Sequence, residues 1–145
     1  MTPTQAVHNW VNRVKTKQEL LDNFPICPYA KEMPKVIEVD KLTESAILNV
    51  IELTVYVEKT VNSTFEEVDA ICKKLNNTYT DHIFLPDHPE QKNYIQGIET
   101  GNQHFPLIIA QLKSELLPAR RKLENTKYYS FWDKEYLREI KSYGD

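Results

Sequence analysis

Glycine is scarce in this chain, with three in 145 residues, at Gly97, Gly101 and Gly144. A phosphate cradle of the P-loop or dinucleotide type needs several glycines within a few positions, so both are excluded. Cysteine is scarcer still, at Cys27 and Cys72. The opening Met1-Thr2-Pro3-Thr4-Gln5 has no basic region followed by an apolar core, so no signal peptide is expected, and the two cysteines are expected to be thiols rather than a disulfide. No apolar run approaches the roughly 18 residues of a membrane span. The net charge of -3 is mild and gives no electrostatic case for a nucleic-acid partner. Internal repeats, low-complexity segments and the H-E-x-x-H type of metal spacing are also missing. What remains, 41% hydrophobic and 27% charged residues, is the composition of a soluble cytoplasmic protein able to bury one core, a single domain over residues 1–145.

Hydrophobic spacing and turn chemistry divide the chain. Thr2-Pro3 is a helix start, and Val7, Trp10, Val11 and Val14 follow at helical intervals to about Lys17. Pro25 and Pro28 cannot continue that helix, and they push Phe24 and Cys27 toward extended geometry. Lys35–Val39 reads as a strand, and Thr43-Glu44-Ser45 opens a short helix through Val50. Leu53, Val55 and Val57 alternate with polar neighbours, the period of a strand. Ser63-Thr64-Phe65-Glu66 reads as a capping box ahead of a helix with Phe65, Val68, Ile71, Cys72 and Leu75 on its apolar stripe. His82–Leu85 predicts a strand stopped by Pro86, with an extra edge strand allowed somewhere in residues 90–101. Phe105-Pro106 is expected to begin a long helix through Leu107, Ile108, Leu112, Leu116 and Leu123, kinked or split at Pro118. Ser130-Phe131-Trp132-Asp133 opens a last helix ending before Gly144. Strands alternating with helices predict an α/β fold (α+β being the alternative), a three- to four-stranded sheet packed by N-terminal, crossover and two C-terminal helices.

The most distinctive stretch is Asn23-Phe24-Pro25-Ile26-Cys27-Pro28-Tyr29-Ala30-Lys31. Its Cys27-Pro28-Tyr29-Ala30, with Trp10 and Val14 upstream, resembles the Cys-Pro-Phe-Ala motif of the bacterial domain-of-unknown-function fourteen-fifteen family. Phe84-Leu85-Pro86-Asp87 stands where that family has Phe-His-Pro-Asp, and Asn102-Gln103-His104-Phe105-Pro106 where it has an Asn-Arg-Ser-Pro-Tyr-Pro-like run. The family's His falls on Leu85 and its Arg on Gln103, which makes this chain a short, divergent relative. The resemblance implies a fold and no assigned activity. Cys-Pro-Tyr-Ala also looks like the glutaredoxin Cys-Pro-Tyr-Cys without its resolving thiol, but a helix rather than a strand precedes it here. Three roles stand open for Cys27: a nucleophilic or redox thiol, a thiolate ligand to haem or a metal, or a small apolar side chain filling a joint between elements. The last is the expected one, and Cys72, on an apolar stripe, is expected in the core.

A second cluster runs from Asp81-His82 through Asp87-His88-Pro89-Glu90 and Glu99 to His104. Loops beyond strand ends present functional groups on fixed scaffolds. His88 with Asp87 or Glu90, plus His104, has the donors either to hold a divalent transition metal or to supply an acid and a base, and any site is expected to be formed by Asp87, His88 and His104 facing Cys27. No metal or cofactor is expected. Lys113, Arg120, Arg121, Lys122 and Lys127 read as a solvated basic face. Tyr128, Tyr129, Phe131, Trp132, Tyr136 and Tyr143 either cover the sheet or form an aromatic patch for a partner. Without a complete catalytic set, the expected function is protein–protein contact or self-association, with no membrane partner. The alternative is an enzyme, or the relic of one, using Cys27 with Asp87 or His88.

Overall fold

Reciprocal capping starts the first element. Thr2 Oγ1 accepts the Gln5 N–H, and the Gln5 side chain accepts the Thr2 N–H, with proline in the first turn of α1 (Pro3–Val14). The structure is a computed structural model that describes residues 1–28, 32–47 and 52–143. Tyr29-Ala30-Lys31 of the Cys27 motif, the end of the short helix expected after Thr43, and Gly144 lie outside the described residues.

After α1 and a short 3-10 turn at Glu19–Leu21, β1 (Lys35–Val39) runs parallel to β2 (Thr54–Glu58). The helix α2 (Phe65–Thr78) leads to β3 (His82–Asp87), followed by a small hairpin of β4 (Tyr94–Ile95) and β5 (Ile98–Glu99). Then β6 (Leu107–Leu112) lies antiparallel to both β2 and β3, giving a four-stranded mixed sheet in the order β1-β2-β6-β3. The chain ends in α3 (Lys113–Glu124), a 3-10 turn at Tyr128–Phe131, and α4 (Lys134–Ser142). This is the expected α/β fold.

Both faces of the sheet are covered, which is why β2 is buried along its whole length. Alternation turns Val55 and Val57, with Leu107 of the neighbouring strand, toward Val7 and Val11 of α1. It turns Tyr56, Ile108, Ala110 and Phe84 toward Val68, Cys72 and Leu75 of α2. Each buried Val, Leu, Ile or Phe among them contributes roughly 1.5–3 kcal/mol by leaving water, and burial pushes the Cys72 thiol well up.

Several expectations are corrected. Leu107–Leu112 is a strand, not the start of a helix. It lies second from the edge with both faces covered, so Leu107–Ala110 are apolar without a break, and periodicity cannot separate such a strand from a buried helix. Strand β3 continues through Pro86 to Asp87. Because β3 is the edge of the sheet, the missing proline N–H costs no ladder bond. The box that starts α2 is Thr64 with Glu67, one residue later than read, and Asp133 caps α4. The strand allowed in residues 90–101 is the separate hairpin, turning on Gln96 (φ 51°) and Gly97 (φ 80°), the pair of positive φ angles of a type I′ turn. The helix α3 runs on through Pro118.

Candidate functional site: a cavity under the aromatic segment

A half-open cavity of about 210 Å³ lies between α1, the α1-facing side of the sheet and the C-terminal aromatic segment. Trp10, Val11 and Val14 come from α1, and Val55, Leu85, Ile109 and Gln111 from the sheet. Tyr128, Tyr129, Trp132 and Tyr136 form the opposite wall, and Cys27, Asp87, Gly101 and Arg120 complete it.

Asp87 reaches the cavity because it ends β3 on the α1 side. Its Oδ2 accepts the Asn102 backbone N–H at 2.8 Å and the Asn102 side-chain amide at 2.7 Å. Glycine is needed next door, since a Cβ on residue Gly101 would stand 2.6 Å from Asp87 Oδ1. The loop carrying these groups is laced to α1: Arg13 donates to the carbonyls of Glu99 and Gly101, and the Trp10 indole to that of Thr100 at 2.9 Å. Burial raises the Asp87 carboxyl to about 6, against the Asn102 hydrogen bonds, which favour its ionised form. It therefore changes protonation near neutrality.

Cys27 is half-buried, and its N–H donates to the Val14 carbonyl at 2.8 Å, which fixes it against the end of α1. Beside it, the buried Tyr128 hydroxyl donates to the Ile26 carbonyl. Tyr136 shares a hydrogen bond of 3.1 Å with the Thr100 hydroxyl and stacks on Trp132 at 5.0 Å between centroids. Burial pushes the Tyr136 phenol up to about 12 and Tyr128 beyond the usual phenol range, so both stay neutral. A charge on Cys27 would act on both phenols, and one on Asp87 would act on Tyr136.

The histidines are elsewhere. His88, one residue past Asp87, is 1% exposed and sits away from the cavity. Its Nδ1 accepts the Glu90 N–H at 3.1 Å, so the proton is on Nε2, which donates to the Ser63 carbonyl at 2.6 Å. The Ser63 hydroxyl and the N–H groups of Leu42, Asn62 and Ser63 donate to the wholly buried Glu58 carboxylate. His88 thus braces loops at the sheet's edge. His104 is exposed beside Phe105 and does not line the cavity. The structure brings Cys27 and Asp87 to one cavity and leaves His88 and His104 out of it. Among the described residues, no group of three or more His, Cys, Asp or Glu is placed to hold a metal ion.

No protein-family model matches the chain, and no curated protein or solved structure matches it.

Two of its groups escaped the sequence reading. Arg120, counted there in a solvated basic face, is 7% exposed and lines the cavity. The signal was Leu116, four residues earlier and on the same face of α3. Trp132, read as part of a covering tail, buries its indole N–H near the Tyr128 hydroxyl without reaching any acceptor in hydrogen-bonding geometry among the described residues.

Proposed function

We propose that this protein binds a small organic molecule in the cavity, with Cys27 and Asp87 as the reactive groups beside it. The observation that carries the reading is the cavity itself. An apolar cavity of about 150 Å³ takes up benzene, so 210 Å³ has room for a substituted ring. Aromatic walls supply the apolar contact, and a few polar groups converge on the space, the usual make-up of a ligand site.

A thiol enzyme is the second reading. It is favoured by the shared location of Cys27 and Asp87 and by a carboxyl that takes up or releases a proton near neutral pH. In this role Asp87, not His88, is the partner of the thiol. Two cysteines held as thiols also support a reducing, cytoplasmic setting. A protein-contact role draws less support, because Tyr128 and Tyr143 are buried and Trp132 and Tyr136 form a cavity wall. No helix of the described residues is long and apolar enough to cross a membrane.

Both readings are tested by alkylating Cys27 with iodoacetamide between pH 5 and 8, with and without indole, and reading the modified peptide by mass spectrometry. Cys72 is buried and gives no competing signal on that timescale. Indole is expected to slow the modification saturably. Absence of protection would count against a ligand in this cavity. The rate–pH profile should carry an inflection near 6 that Asp87→Asn removes. An inflection that persists in Asp87→Asn would uncouple the carboxyl from the thiol.

A further inference from the structure

Arg120 is the group the fold itself leaves unexplained. It projects from α3 on the side of the buried Leu116 and is 7% exposed, yet no hydrogen-bond or ion-pair partner for it is found among the described residues. Its guanidinium nitrogens are not among the buried, unpartnered atoms of the described residues, so they meet the open space of the cavity rather than a packed wall. Of the described residues on the cavity wall, two carry carboxylates, Asp87 and Glu32, and neither forms an ion pair with it. Asp87 is occupied by Asn102. Lys141, the other cation on the wall, already pairs with Glu124 at 3.2 Å and lies over the Tyr129 ring. Among the described residues, Arg120 thus offers its fork of donors to the open space of the cavity. The Trp132 indole N–H, buried on the same wall near the Tyr128 hydroxyl, has no acceptor in hydrogen-bonding geometry among the described residues. A planar guanidinium open to an aromatic-lined cavity is a ready partner for an anion.

We propose that the cavity ligand is a small aromatic or aliphatic monocarboxylate, its carboxylate held by the Arg120 guanidinium and its apolar body lying against Trp10, Ile109 and Trp132. This rests on the cavity being a ligand site. A single anionic group fits better than a phosphate, because one guanidinium faces the space while Asp87 on the same wall opposes a second negative charge. A carboxylate accepts two parallel bonds from arginine, which a single neutral acceptor cannot match.

The test is calorimetric titration of the full chain with phenylacetate and with its neutral isostere phenylacetamide. Wild-type protein is expected to bind phenylacetate more tightly by roughly tenfold or more, the usual gain from a hydrogen bond to a charged group. Arg120→Met should abolish that preference while leaving phenylacetamide binding within about twofold, and Lys141→Gln should leave the preference intact. Equal affinities in wild type, or a preference that survives Arg120→Met, would overturn the assignment and leave the cavity as a site for neutral ligands. Failure of both compounds to bind wild-type protein would instead remove the ligand site itself. If Arg120→Met fails to fold, Arg120→Lys, which keeps the charge without the fork, is expected to lose part of the preference, and an unchanged preference would sink the bidentate geometry.

Discussion

Asp87 is held between two opposing effects, and their balance is measurable. Burial favours its neutral form and the Asn102 donors favour the charged one, with burial the larger. Its folded pKa of about 6 is above the unfolded value of 3.8. Between these values the folded protein binds more protons than the unfolded one, so the stability Asp87 contributes is complete below pH 4 and is lost as pH rises through 6. At pH 7.5 the ionised carboxylate costs up to roughly 3 kcal/mol relative to a neutral group of the same shape. Asp87→Asn keeps an oxygen for both Asn102 donors. In urea titrations it is expected to be more stable than wild type at pH 7.5 by roughly 1–3 kcal/mol and indistinguishable from it at pH 4. A variant less stable at both pH values would show that the carboxylate is held by hydrogen bonding rather than strained by burial. At this scale the sequence was partly legible. Two prolines and a strand end marked Cys27 and Asp87 as neighbours of loops, and both reach the cavity. Adjacent residues at a strand's end face opposite ways, however, and that sent His88 to the Ser63 carbonyl. No local pattern announces such a distant partner. Arg120 was hidden for the same reason: a charge looks solvated until the helix face it shares with Leu116 is known to be covered.

At the scale of elements, legibility followed the strength of the local signal. The start of α1 and the presence of a capping box ahead of α2 follow from hydroxyl, carboxylate and proline signals. Strand β6 did not, because an apolar run covered on both faces carries no period. The one-residue displacement of the α2 cap has an energetic consequence. Thr64 caps the helix, whereas the Ser63 hydroxyl donates to buried Glu58. Thr64→Ala is expected to cost about 1 kcal/mol, the ordinary value of a lost cap. Ser63→Ala should cost more, roughly 1.5–3 kcal/mol, because it removes a donor from a buried carboxylate. Urea denaturation of the two variants checks the order, and a larger loss from Thr64→Ala would contradict it.

Over the whole molecule, four separate parts of the chain meet at one place. Helix α1 supplies the floor, and Arg13 and Trp10 tether the Gly101 loop. The Pro-flanked segment sets Cys27, and the C-terminal aromatics close over it. Sequence separations of this size defeat local reasoning, yet the density of aromatic residues near the C-terminus did signal that something large is covered there. What they cover is incompletely filled space lined by a thiol, a carboxyl near its titration point, a guanidinium and a buried indole N–H. A core selected for stability alone has little use for any of these together. The most direct measurement is the pair of indole N–H resonances of Trp10 and Trp132 in a nitrogen-labelled sample titrated with indole. Saturable movement of the Trp132 signal is expected in wild-type protein, and its loss in Gln111→Phe, whose ring would occupy the space. Signals that stay fixed throughout the titration, or that move equally in Gln111→Phe, would contradict the account.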